Sequence, residues 1–81
     1  MPEIQFSGAI RSAVGDTASM HIEADTIREL LRKLVERHPR LQGLIDEGIA
    51  VSINGHIYRD GWNTQIPKDA EVFLMPRVPG G

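Results

Sequence analysis

The residues best suited to chemistry lie at the end of this 81-residue chain, where Gly80 and Gly81 leave a terminal carboxylate with no side chains beside it. An α-carboxylate has a pKa of about 3.5, so it is ionised at neutral pH and is a poor acyl donor. Once activated as an acyl-adenylate, the same carbon reacts with a sulfur or an amine nucleophile. Because glycine has no side chain, an activating enzyme is able to thread this terminus into a closed site. We therefore expect Gly81 to undergo acyl chemistry that another protein catalyses.

The side chains offer little chemistry of their own. The chain has no cysteine, so any sulfur would have to be carried on the terminal carboxyl as a thiocarboxylate. His21, His38 and His56 lack metal-ligand spacing, and the acidic residues lie mostly in expected turns and caps. There is no nucleophile motif or phosphate-binding loop, and a core of this size leaves little room for a ligand pocket. We expect no metal site, no bound cofactor and no stand-alone enzyme.

The composition indicates one small domain. The net charge is −2 and the pI is about 5.8, with no basic run that would indicate a nucleic-acid or membrane-surface partner. No apolar stretch approaches the roughly 20 residues of a membrane span. The first residues also lack the basic and apolar regions of a signal peptide. The expected location is the cytoplasm.

A helix after Thr26 is the clearest predicted element. Thr26 and Glu29 form a capping-box pattern, in which the threonine hydroxyl accepts a hydrogen bond from the Glu29 amide. Apolar residues then recur with the helical period, at Ile27, Leu30, Leu31, Leu34 and Val35. Pro39 stops this helix, and a further short helical turn is predicted over residues 41–45, ending at Gly48.

Strands are predicted on both sides of this helix, at residues 4–10, 19–22, 49–53, 57–58 and 71–75. Ile4, Phe6 and Ile10 share one parity, so the first strand should bury one face and form a hairpin with the second. Asn54-Gly55 predicts a type I′ turn. Two hairpins separated by one helix indicate an α+β fold, with a sheet of four or five strands and the helix across one face.

The tail is predicted to start at Pro76. Pro76 and Pro79 fix φ and lack a backbone donor, so we do not expect the tail to continue a sheet ladder. This divides the chain into a domain over residues 1–75 and an exposed tail over residues 76–81. Fully extended, the tail spans at most about 20 Å.

Trp62 is the one side chain that this fold does not require, since it follows the Asp60-Gly61 turn. One interpretation is that it covers an edge of the small core. The other is that it docks a partner, because tryptophan is enriched among the residues that dominate binding energy at interfaces.

The whole chain resembles the MoaD/ThiS family of ubiquitin-like sulfur carriers. The resemblance rests on the order of short motifs along the chain: Ile10–Gly15, Thr26–Leu31, Val51–Gly55, Lys68–Val72 and the terminal Gly80-Gly81. It implies a β-grasp fold and a partner enzyme of the ubiquitin-activating type, which adenylates Gly81 with ATP.

The resemblance also implies two further partners. A sulfur donor, either a sulfurtransferase or a desulfurase, would convert the adenylate to the thiocarboxylate, and a sulfur-acceptor enzyme would use it. The residues implied in threading are Arg77, Val78, Pro79, Gly80 and Gly81, with Phe73 and Met75 of the last strand contacting the partner. We add Trp62 as a third candidate contact residue.

Residues 60–65 and the proline-containing tail depart from the family pattern, which leaves the pathway open among molybdopterin, thiamin, cysteine and other sulfur-containing products. The leading hypothesis is a sulfur carrier, free or as the small subunit of an enzyme complex. The alternatives are a ubiquitin-like modifier that joins lysine through Gly81, and a passive interaction domain.

Overall fold

The computed structural model describes residues 1–77 of the chain. In chain order the elements are β1 (Glu3–Phe6), α1 (Ala9–Ala13), β2 (Ser19–His21), α2 (Ile27–Arg37), α3 (Leu41–Glu47), β3 (Ile49–Ile53), β4 (His56–Tyr58) and β5 (Glu71–Pro76). None of the helices in this described part has the length and apolar character needed to cross a membrane.

The five strands form one mixed sheet in the order β2-β1-β5-β3-β4. β1 pairs with β5 in parallel, whereas the β1–β2, β3–β4 and β3–β5 pairs are antiparallel. The last strand in the sequence is therefore the central strand of the sheet. With α2 packed across one face, this arrangement confirms the predicted α+β, β-grasp fold with one main helix.

The core lies between α2 and the inner face of the sheet. Four of the five residues in the predicted stripe are buried, namely Ile27, Leu30, Leu31 and Leu34, and the fifth, Val35, is half-buried. These residues pack in one cluster with inward-facing strand residues, including Ile4, Val51, Val72 and Leu74. Burial alternates along β5, so that Val72 and Leu74 face the helix while Phe73 faces the opposite side.

The start of α2 confirms the predicted cap hydrogen bond at Thr26, whereas the Glu29 carboxylate bonds to the amide one residue before the N-cap amide that a capping box uses. The amide of Glu29 donates to Thr26 Oγ1 over 3.2 Å. The Glu29 carboxylate reaches back and accepts a hydrogen bond from the Asp25 amide, also at 3.2 Å. The acidic side chain thus lies at the positive end of the helix dipole.

The loop between β4 and β5 completes this cap. The carbonyl of Trp62 accepts from the Arg28 amide at 2.8 Å, and the carbonyl of Thr64 accepts from the Ile27 amide at 3.1 Å. These are amides that the start of a helix leaves without an intrahelical partner. The loop between β4 and β5 therefore caps the main helix with its backbone.

The first strand is shorter than predicted, because it ends at Phe6. Gly8 adopts a φ of 58°, and the chain then turns into α1. Ile10 is fully buried, as expected, but from a helix and not from a strand. Ile10 and Val14 are both buried and lie four residues apart, which is the helical spacing that the strand prediction overlooked.

The second hairpin matches its prediction. Asn54 and Gly55 have φ values of 48° and 91°, as a type I′ turn requires. Val51 pairs with Tyr58 and Ser52 pairs with Ile57. Ile57 consequently lies on the outer face, where it is 60% exposed.

We predict that Thr26→Ala lowers the free energy of unfolding by about 1 kcal/mol, because the Glu29 amide loses its acceptor. Thr26→Ser keeps the hydroxyl and should stay close to wild type. Urea denaturation of the three proteins measures the difference, and an equal loss in both variants would contradict a role for the hydroxyl.

Candidate functional site

The candidate site begins where β5 delivers the chain to its C-terminus. β5 is held by β1 on one side and by β3 on the other, and the Arg77 amide donates to the Gly48 carbonyl at 3.1 Å. Arg77 is exposed at this edge of the sheet. Val78, Pro79, Gly80 and Gly81 lie outside the described residues, so the roles predicted for them stay predictions.

The last strand is one residue longer than predicted, and it includes Pro76. Pro76 pairs with Ile49, while the next residue, Arg77, makes the hydrogen bond to Gly48. Hydrogen-bonded and non-hydrogen-bonded pairs alternate in an antiparallel ladder, so the nitrogen of Pro76 points away from β3. On that other side β1 has already ended at Phe6, and the missing donor costs no ladder bond. The expectation that proline would stop the ladder at residue 76 was therefore wrong.

Two glycines flank the point where the tail leaves the sheet. Gly8 has a φ of 58°, and a Cβ placed there would lie 3.6 Å from Pro76 Cγ. Gly48 has a φ of 120°, and a Cβ there would lie 3.7 Å from the Arg77 side chain. Residues with a side chain rarely adopt these conformations. The backbone path on both sides of the tail base thus depends on glycine.

An open cleft of about 410 Å³ lies beside this exit point, lined in part by Ile10, Leu44, Glu47 and Arg77. This cleft is not predicted by the sequence, because a core of this size leaves little room for a pocket. The volume comes from the surface between α1, α3 and the end of β5, and not from the core itself.

The outer face of the sheet carries the predicted contact residues of β5. Phe73 is 36% exposed and lies between Gln5 on β1 and Ser52 on β3. Met75 is half-buried on the same face, two residues closer to the tail. Ile57, which is not among the predicted contact residues, extends this apolar surface at the β4 edge.

The same face becomes acidic at the end that is distant from the tail. Glu3 and Glu71 are register partners on neighbouring strands, and Gln5 donates to Glu3 at 3.2 Å. Along β5 the face therefore runs from acidic, through apolar Phe73 and Met75, to the tail base. A partner that reads this face would meet a carboxylate pair at one end and the chain terminus at the other.

Trp62 does not belong to this surface. It is half-buried against the core on the helix side, next to Leu31, Val35 and Ile45. The structure thus brings Phe73 and Met75 together but places Trp62 on the opposite side of the sheet. The helix cap described above uses the backbone carbonyl of Trp62 and gives no role to its indole.

Within residues 1–77, no polar or charged side chain is buried and no group of three His, Cys, Asp or Glu side chains could hold a metal ion. His21, His38 and His56 lie on three separate elements or their ends, β2, the end of α2 and β4. Within the described residues, the side chains therefore add no candidate catalytic or metal site to the tail base and the outer sheet face.

Comparison with known proteins gives one family and several similar structures. The model of the ThiS family matches residues 4–81. No match was found among curated proteins.

Three solved structures illustrate the similarity. A chain of the BexX/CysO complex of Amycolatopsis orientalis is 20% identical, with a TM-score of 0.81 and full coverage of both chains. A chain of the complex of subunits 1 and 2 of molybdopterin-converting factor from Helicobacter pylori is 26% identical, with a TM-score of 0.68, covering 99% of this chain and 97% of that one. Small archaeal modifier protein 1 of Haloferax volcanii is 26% identical, with a TM-score of 0.67, covering 95% and 97%.

The tail base yields a paired prediction. Gly48→Ala should lower the free energy of unfolding by about 1–3 kcal/mol, because alanine is strained at a φ of 120°. It should also speed hydrogen exchange of the Arg77 amide, which bonds to the Gly48 carbonyl.

Gly43→Ala is the matched control for that change. Gly43 lies within α3, and a Cβ there meets no atom within 4 Å. It should raise the free energy of unfolding by about 0.5–1 kcal/mol and leave exchange at Arg77 unchanged. Similar exchange at Arg77 in both variants would contradict the proposed anchoring of the tail base.

Proposed function

This chain belongs to the ThiS family, and we propose that it is a sulfur carrier whose reactive group is the Gly81 carboxylate. One observation carries the proposal: the central strand of the sheet leads directly into a Gly-Gly terminus. The domain supplies a rigid support for that terminus, and the chemistry belongs to its partners.

The proposed reaction has two stages. A carboxylate oxygen of Gly81 attacks the α-phosphorus of ATP on an activating enzyme of the ubiquitin-activating type, and pyrophosphate leaves. A sulfur nucleophile from a sulfurtransferase or desulfurase then attacks the acyl carbon, and AMP leaves. If the donor is a persulfide, its attack forms an acyl disulfide. A thiol then attacks the sulfur that belongs to the donor enzyme and forms a disulfide with it. The other sulfur stays on the acyl carbon, and the thiocarboxylate is released.

The anchoring of Arg77 limits how far the terminus can travel from the domain. Its amide bonds to Gly48, and four residues follow it. Four residues in extended conformation span about 13–14 Å. The activating enzyme must therefore bring its nucleotide close to the body of the domain, which requires docking on a surface beside the tail.

The outer face of the sheet is our candidate for that docking surface. Phe73 is an exposed aromatic residue, and the other exposed positions of its strand are Glu71 and Pro76. Exposed aromatic residues are typical anchors at protein interfaces. Met75 lies between Phe73 and the tail, so a partner that covers both residues is led toward the terminus.

The solved relatives support a protein partner for this chain. Two of them were determined in complexes, one with BexX and one as subunits 1 and 2 of a molybdopterin-converting factor. We propose that a sulfur-acceptor enzyme likewise binds the outer face and receives the tail, with this chain as a free carrier or as a small subunit. The acceptor defines the pathway, and molybdopterin, thiamin, cysteine or a related product are the alternatives.

A second candidate function is protein modification. It is favoured by the similarity to small archaeal modifier protein 1 of Haloferax volcanii, at 26% identity over nearly the whole chain. In this case a lysine amine attacks the activated Gly81 carbonyl, AMP leaves and an isopeptide bond forms. Both candidates require the same activated terminus.

We predict that deleting Gly81, or adding one residue after it, abolishes adenylation by the cognate enzyme, measured as pyrophosphate release. One extra residue before Met1 is the matched control and should leave the rate unchanged, because the chain starts far from the tail. Full adenylation of the C-terminal variants would refute a role for the terminal carboxylate.

Intact mass of the protein from its own cells separates the two candidates. A sulfur carrier should show a fraction in which one oxygen is exchanged for sulfur, and the deletion of Gly81 should remove it. A modifier should instead form lysine conjugates that survive reducing, denaturing gels.

We also predict that Phe73→Arg raises the KM of the activating enzyme for this protein by about tenfold or more, the effect of losing an interface anchor. Because Phe73 is exposed, the melting temperature of the variant should stay near that of the wild-type protein. Gln65→Arg, on the helix side, is the control and should leave KM unchanged. Equal KM values for both variants would place the docking surface elsewhere.

A further inference from the structure

The helix side of the protein carries a second surface that the carrier proposal does not use. It is an open groove of about 350 Å³ between α2, α3 and the loop after β4. Its floor is apolar and its rim is basic. We call it the Trp62 groove, and its defining residues are Leu31, Val35, Ile45, Trp62, Arg28 and Arg32.

The helix cap does not explain why a tryptophan stands in this loop. The cap uses the carbonyl of Trp62, and any residue supplies a carbonyl. The indole packs against the edge of the core and is only half-buried. It therefore leaves an apolar floor in contact with water, together with the half-buried side chains of Val35 and Ile45.

The basic rim comes from two arginines one helical turn apart. Arg28 and Arg32 are separated by four residues, which is about 6 Å along the axis. Arg28 Nε donates to Asn63 Oδ1 at 3.1 Å, and Arg32 pairs with Glu36 at 2.9 Å. A guanidinium has five N–H donors, so each arginine keeps donors for an additional acceptor.

The charge of the groove is opposite to that of the whole protein. Its charged lining consists of two arginines and Glu36, which gives a net positive charge, whereas the chain has a net charge of −2. The side chains of Arg32 and Glu36 are 60% and 64% exposed, so the ion pair between them is weak. A carboxylate from outside is able to replace Glu36 at little cost.

We propose that the Trp62 groove binds an acidic, apolar segment of a partner protein. An apolar side chain of that segment lies on Trp62, Val35 and Ile45, and its carboxylates pair with Arg28 and Arg32. Carboxylates at positions i and i+4 of a helix have the same spacing of about 6 Å as the two arginines. This partner is bound on the side opposite Phe73 and does not contact the tail base, so it is able to bind while the outer face is occupied.

Selection from a displayed library of random peptides tests this proposal without knowledge of the partner. Wild-type protein is the target, and the double variant Arg28→Glu/Arg32→Glu is used for counter-selection. The selected peptides should combine Asp or Glu with aromatic or aliphatic residues. Trp62 is the only tryptophan of the chain, so its fluorescence reports occupation of the groove directly when tryptophan-free peptides are titrated.

Arg11→Glu/Arg59→Glu is the matched control, since both double variants exchange two exposed arginines for glutamates. The Arg28/Arg32 variant should bind the selected peptides about tenfold or more weakly, and the control should bind like wild type. Replacing the acidic residues of a peptide with lysine should abolish the fluorescence change.

Three results would overturn the proposal. The first is selection of peptides without an acidic bias, and the second is equal weakening in the two double variants. The third is a fluorescence shift that depends on protein concentration alone, which would mean that a second copy of this chain covers the groove. Circular dichroism of both variants establishes that they are folded before binding is compared.

Discussion

The parallel pairing of β1 with β5 is the constraint on which the rest of the structure depends. It joins Glu3–Phe6 to Glu71–Leu74, so the first and the last strand are neighbours within the sheet. Parallel neighbours require a crossover, and the chain supplies it with α2, α3 and the second hairpin. Because β5 is also paired with β3, the C-terminal residues leave from the most extensively hydrogen-bonded strand. A reactive terminus needs a defined starting point, and this pairing provides one at Arg77.

The closure of the α2 N-terminus is the second constraint, and it explains why the loop between β4 and β5 lies against the start of the helix. The helix needs acceptors for its first amides, and the carbonyls of Trp62 and Thr64 provide them. Since only backbone atoms take part, the side chains of this loop are left to serve other interactions. Asn63 Oδ1 accepts a hydrogen bond from Arg28, and the indole of Trp62 forms part of the floor of the Trp62 groove.

Local signals in the sequence predicted local structure well. The cap hydrogen bond between Thr26 and Glu29 and the Asn54-Gly55 turn are each determined by a few adjacent residues, and both form as predicted. Ile10 carries two conflicting signals. Its parity with Ile4 and Phe6 predicts a strand, whereas its four-residue spacing from Val14 is helical. Pro76 continues the ladder against expectation, because the sequence does not show that β1 stops before reaching it.

Features that depend on distant residues were beyond local patterns. Nothing adjacent in the sequence shows that β5 is central, that Ile57 joins Phe73 on one face, or that Trp62 meets Arg28 across more than 30 residues of chain. The Gly-Gly motif is evident in the sequence, whereas the hydrogen bond from the Arg77 amide to the Gly48 carbonyl, which joins residues 29 positions apart, is not.

The placement of the two surfaces agrees with a protein that has several partners. The domain measures 30 × 28 × 18 Å, so its sheet face and its helix face are separated by the thickness of one sheet and one helix. In the proposed reaction one enzyme activates the terminus and another uses it, so the two enzymes would compete for the surface beside the tail. A partner on the helix side does not enter this competition, because the Trp62 groove shares no residue with Phe73, Met75 or the tail base. Such a partner is therefore able to stay bound throughout the proposed transfer. Because the domain is small, an enzyme attached to that partner would lie close to the terminus.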